Sequence, residues 1–336
     1  MTRASTARRL ATGAVYGSGG VGLAGAALVG LLREEARSAR RRVTARAAQG
    51  DPPTGNGVYG RGRGKPIVLA VLGDSSAVGL GVDNPGETPG VLIAAALTEL
   101  AERPVRLAKF ARSGAVSRDL AGQVERALLE HPDVALIMIG ANDVTSRARP
   151  AESVAALAEA VRTLIAAGCQ VVVGTCPDLG TIRPIGQPLR LLARRWSRQL
   201  AAAQTIAVVA EGGRTVSLGS VLGPSFATDR GLFSNDEFHP SAAGYAAAAA
   251  SLLPSIADAL GVWPASADRG LRLRRDTVRP VARAAAKAAG RTGTEVQPTE
   301  VRGEQHGPWA RLRRRRPVEI PTAEQADEAG RTPVPS

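Results

Sequence analysis

Five short apolar runs, each separated from the next by a longer helical pattern, constrain this chain more than any other feature. They fall at 67–72, 105–108, 134–139, 170–175 and 215–218. Helical periodicity occupies about 88–102, 117–130, 151–167 and 188–211 between them, and about 241–260 after the last. The runs at 67–72 and 134–139 are apolar at every position, and that at 170–175 holds three consecutive valines. A strand of that kind is buried on both faces, as in a parallel sheet covered by helices on each side. The pattern therefore predicts an α/β fold: a three-layer α/β/α sandwich of about 200 residues around a five-stranded parallel sheet. Such sheets bind ligands at the carboxyl ends of their strands, which directs attention to the polar residues there.

Charge separates this region from its flanks. The whole chain has a formal net charge of +13, yet residues 66–264 carry 16 Lys+Arg against 18 Asp+Glu. The excess lies in residues 1–65, with 12 basic against 3 acidic, and in 265–336, with 15 against 9. A near-neutral centre argues against nucleic acid as the partner of the folded domain. Aromatic residues make up only 3% of the chain, so the core must be built from Ala, Val, Leu and Ile. Four regions result: an N-terminal segment (1–42), a Gly/Pro/Arg-rich linker (43–65), the α/β domain (66–264) and a basic tail expected to be disordered (265–336).

Residues 10–32 contain no charged side chain and would span about 35 Å as a helix, enough for a bilayer core. Seven of these 23 residues are glycine, which weakens the reading. An uncleaved membrane anchor is favoured over a secretory signal, whose apolar region would be shorter. This implies a membrane-associated or cell-envelope protein, with the side of the membrane left open. Gly17-Ser18-Gly19-Gly20-Val21-Gly22 satisfies a dinucleotide-binding spacing, but no strand precedes it. Cys169 and Cys176 flank one predicted strand and would lie roughly 20 Å apart, too far for a disulfide. Two cysteines and three histidines supply no zinc-ligand spacing.

Four polar blocks sit where strands end or the last helix begins. Gly73-Asp74-Ser75-Ser76 follows the first strand, and Ala111-Arg112-Ser113-Gly114 follows the second. Gly140-Ala141-Asn142-Asp143 ends the third, and Asp236-Glu237-Phe238-His239-Pro240 precedes the last helix. In this order and on these elements, the blocks resemble those of the SGNH/GDSL hydrolases over roughly residues 66–262. The resemblance implies a flavodoxin-like sheet and a serine esterase or lipase that needs no metal or organic cofactor. Ser76 stands where the family motif has leucine, a position that touches no reacting atom.

The residues fit the roles that the resemblance implies. A serine hydroxyl is a poor nucleophile until a base removes its proton. His131 precedes the third strand, at the wrong end of the sheet, and His306 lies in the tail, which leaves His239 as the base for Ser75. Asp236, three residues before His239, can fold back to accept a bond from the imidazole, with Glu237 and Asp229 as possible substitutes. By resemblance, the oxyanion donors are the N–H groups of Ser75 and Gly114 and the side-chain amide of Asn142. Asp143 is read as structural.

These residues predict an acyl-enzyme hydrolase of small-molecule or lipid esters. An acyltransferase or thioesterase using the same serine is the rival within enzymes. A catalytically inert, membrane-tethered binding module is the rival from another class.

Overall fold

A computed structural model describes residues 30–38, 41, 53–61, 63–146 and 148–262. Residues 10–29 of the apolar segment and the whole 265–336 tail lie outside these. The first element is a helix over 30–38 (α1). Among the described residues, no helix is long and apolar enough to cross a membrane.

The sheet has six strands. β1 (Gly57–Tyr59), β2 (Ile67–Gly73), β3 (Val105–Lys109), β4 (Val134–Met138), β5 (Gln170–Gly174) and β6 (Arg214–Val216) stand in the order β1-β3-β2-β4-β5-β6. The last five are parallel to one another, while β1 runs antiparallel to β3 at the edge. This corrects the expected count of five, since the extra strand lies inside the stretch read as a linker. Three residues beside glycines carry no usable periodicity, and β1 exists because the open edge of β3 offers it partners. Lys109 fastens it: its N–H donates to Asn56 Oδ1 at 2.9 Å, and its ammonium donates to the carbonyls of Pro53 and Val78. Burial lowers the Lys109 pKa to about 8.

The two sheet faces sort side chains by strand alternation. From β2, Ile67, Leu69 and Val71 face helices α3 (Pro89–Ala101) and α10 (Ala242–Ala259), where they meet Ile93, Leu97 and Leu252. Ala70 and Leu72 face the opposite way, toward α4 (Leu120–Leu128), α6 (Pro150–Ala166) and α7 (Leu189–Ala210). Every residue of β2 and β4 is buried, as continuous apolar runs require. Short helices α2 (Ser75–Val78), α5 (Ala141–Thr145), α8 (Leu218–Val221) and α9 (Gly223–Thr228) lie just beyond the carboxyl ends of strands β2, β4 and β6.

Two buried glutamines hold the strand ends. Gln123 lies on the apolar stripe of α4, where its side chain accepts from Gly73 N–H at 2.7 Å and donates to Gly73 C=O at 3.0 Å. Gln204 does the same for the end of β4, joining Cys176 N–H to Ile139 C=O. Cys169 and Cys176 are buried free thiols. Replacing Gln123 with Leu would leave the buried N–H of Gly73 unpaired and its carbonyl with the Arg112 N–H alone. The expected loss is about 1–3 kcal/mol of stability, read from the urea unfolding midpoint, with weakened catalysis because Ser75 lies two residues on.

Candidate active site

The turn after β2 is the tightest point of the site. Gly73 has φ +132°, and a Cβ there would stand 1.9 Å from the carbonyl oxygen of Met138. Only glycine lets β2 leave the sheet this close to β4. Asp74 then caps α2: its carboxylate accepts from Ser76 N–H at 3.0 Å. Ser75 thus becomes the first residue of a helix, buried to 7% exposure, and its N–H meets no protein acceptor among the described residues.

The last loop brings the histidine to it. Ser75 Oγ lies 3.0 Å from His239 Nε2, across 164 residues of sequence. His239 Nδ1 lies 2.6 Å from Asp236 Oδ2. A carboxylate can only accept, so the hydrogen resides on Nδ1 and leaves Nε2 free to accept from the serine. The other Asp236 oxygen accepts from Ser234 Oγ and from the N–H groups of Phe238 and His239. Glu237 adopts a left-handed φ of +55° between Asp236 and His239. Of the two substitutes weighed for Asp236, Asp229 caps its own turn through Gly231 N–H. Glu237 lies near Arg230, at 4.0 Å.

Gly114 and Asn142 come from two further loops. Arg112 N–H donates to Gly73 C=O, and Asn142 Nδ2 donates to Ala115 C=O at 3.0 Å, so both loops are tied to the turn that bears Ser75. One amide hydrogen of Asn142 is therefore spent on orientation and the other is left for a ligand. Gly114 has φ +77°, with nothing within 4 Å of where a Cβ would lie. Its backbone conformation, rather than crowding, calls for glycine. Asp143 faces inward, accepting from Ser117 N–H and Oγ, as its structural reading expected. His131 adopts φ +50° in the turn between α4 and β4 and takes no part in the site.

Beside this constellation lies an apolar cavity of about 90 Å³. Met138, Ile139, Leu179, Ile182, Phe226, Phe233 and Phe238 line it, next to Asp74 and Ser76. Three of the four phenylalanines in the chain are therefore gathered here. Nothing in the spacing of single phenylalanines across loops could reveal this. Among the described residues, no group of three His, Cys, Asp or Glu side chains could hold a metal ion.

Residues 71–247 match the GDSL-like lipase/acylhydrolase family. The chain belongs to this family. It is 46% identical over 222 residues to the GDSL-like esterase Rv1075c of Mycobacterium tuberculosis, a match covering 62% of this chain and 71% of that protein. Similar solved structures include Axe2, an acetylxylan esterase from Geobacillus stearothermophilus, at 21% identity and TM-score 0.44. That match covers 60% of this chain and 98% of Axe2. TesA is similar at 27% identity and TM-score 0.40, with 57% and 97% covered. The GDSL-family chain described here is an ester-hydrolysing enzyme.

Two acids of this GDSL-family site titrate in opposite directions. Burial raises the Asp74 carboxyl to about 6, despite the Ser76 N–H bond and the proximity of His239. Burial also acts to raise Asp236, but the hydrogen bond and charge of His239, with the N–H bonds of His239 and Phe238, outweigh it and hold the group at about 2. Asp236 therefore contributes stability that is present above about pH 4 and lost as pH falls through about 2. Asp74 does the reverse. Its native form holds the proton to higher pH than the unfolded chain does, so its contribution to stability falls as pH rises from about 4 through about 6. Urea unfolding of wild type and Asp74→Asn should show a wild-type decline across that window that the variant lacks. Parallel curves would contradict the assignment.

Proposed function

We propose that this enzyme hydrolyses carboxylic esters through an acyl-enzyme on Ser75. The observation that carries the reading is the relay from Ser75 Oγ through His239 to Asp236, at 3.0 and 2.6 Å, drawn from opposite ends of the domain. His239 Nε2 takes the serine proton as Oγ attacks the ester carbonyl, and Asp236 stabilises the imidazolium that forms. The oxygen of the tetrahedral intermediate is held by Ser75 N–H, Gly114 N–H and Asn142 Nδ2. In support, Ser75 N–H has no protein acceptor among the described residues, and the loops of Gly114 and Asn142 are joined to the Ser75 turn. His239 then gives its proton to the leaving alcohol, which departs. Water, deprotonated by the same nitrogen, attacks the acyl group, and Ser75 is restored as the acid leaves.

The substrate class follows from the cavity beside Ser76. Its apolar and aromatic lining favours an ester with a short hydrocarbon portion over a charged one.

p-Nitrophenyl esters of graded chain length test both statements. Ser75→Ala should abolish turnover, and Asp236→Asn should lower it by about 10⁴-fold. Asn142→Ala should cost about 10²–10³-fold in kcat with little change in KM, because the amide acts on charge that exists only in the transition state. Undiminished turnover by Ser75→Ala would overturn the mechanism.

A further inference from the structure

We propose that the exposed face of α7 around Leu191 is a docking surface for an anionic lipid membrane. Five arginines and no acidic residue occur between 183 and 200, in a domain whose acids otherwise outnumber its bases. Asp178 is the carboxylate that answers them: Arg198 donates to it through Nε at 3.1 Å and Nη2 at 2.8 Å, and Arg194 lies 3.4 Å away. Arg183, Arg190 and Arg195 pair with no carboxylate among the described residues. Arg183, Arg190 and Arg194 line one groove of about 360 Å³, with Leu191 at its wall. Two of these, Arg183 and Arg190, have no carboxylate to answer them among the described residues, and unanswered guanidinium groups in a groove call for an anionic partner.

Leu191 identifies the partner as lipid. It is 64% exposed, and helical spacing puts Arg194, Arg195 and Arg198 on its own side of α7. A polyanion in water would satisfy the arginines but leave Leu191 wet. The headgroup boundary of an anionic bilayer takes both, with arginines at the phosphates and Leu191 just beneath. Two further observations agree. The carboxylate of Glu35 in α1 accepts from Leu189 N–H at 3.0 Å, so α1, whose first residues Gly30, Leu31 and Leu32 close the uncharged run of the sequence, sits beside the first turn of α7. Thr181 lines both the arginine groove and the apolar cavity near Ser75, so a docked enzyme would present that cavity close to the lipid.

The test uses the full chain carrying Leu191→Cys labelled with a polarity-sensitive fluorophore. The two native cysteines are buried and leave the label selective. On vesicles of phosphatidylglycerol and phosphatidylcholine, the emission should shift to the blue and be quenched by lipid carrying a headgroup spin label. Phosphatidylcholine alone should give little shift. Adding Arg190→Gln and Arg195→Gln should raise the lipid needed for half the shift by roughly 25-fold, about fivefold per arginine, while hydrolysis of a soluble ester stays unchanged. Equal emission in buffer and on both vesicle types would overturn the proposal. So would a shift that survives loss of both arginines, which would assign the attraction to the basic tail. A shift produced by duplex DNA but not by vesicles would overturn it in favour of nucleic acid.

Discussion

The structure depends on burying β2 on both faces while bringing its last residue against β4. Sheet burial forces Ile67 to Leu72 to be apolar throughout, so the first polar side chains appear where the strand ends. There the chain must turn within contact of the Met138 carbonyl, which admits only Gly73. The turn delivers Asp74 to the helix cap and Ser75 to the first helical position, whose N–H meets no protein acceptor among the described residues. The capping acid and the amide of Ser75 without a protein acceptor are two consequences of one strand ending in one place.

Three buried acids surround that place, and each is compensated differently. Asp236 is matched by four hydrogen bonds, including the imidazole of His239, and remains ionised to low pH. Asp143 is bonded to Ser117 and pins the loop that leads from Gly114. Asp74 is pushed up by burial and caps the helix that Ser75 begins. The same residue type thus serves as histidine partner, clamp and cap, according to the donors that the fold sets around it. The glutamines behind them perform related work. Gln123 closes a hydrogen-bonded ring on Gly73 at the end of β2, and Gln204 bridges the ends of β4 and β5, where a parallel ladder runs out of partners.

Much of this was legible in the chain itself, for reasons that differ by element. The helices over 89–101, 150–166 and 189–210 lie within two residues of their predicted ends, because periodicity over three or more turns is a strong signal. β1 was missed because three residues hold no period and the pairing that makes the strand belongs to β3. Gln123 was readable in principle, as a polar residue on the stripe of Leu120, Val124 and Ala127, but its partner Gly73 lies 50 residues earlier. The aromatic cavity was not readable, since Phe226 comes from the short helix α9 and Phe233 and Phe238 from the segment after it, with no repeat among them.

By itself, the sequence determined the order of elements and which polar residues would stand at strand ends, since both follow from local periodicity and from the exclusion of polar groups from a doubly covered sheet. It also put one of the three histidines, His239, beside those polar blocks. Only the tertiary structure decided distances. The 3.0 Å between Ser75 and His239, the tie from Asn142 to Ala115 and the grouping of arginines into one groove each join residues whose separation in the chain carries no information about separation in space. Contacts of that kind arise when whole layers pack, and packing is a property of the assembled core rather than of any segment in it.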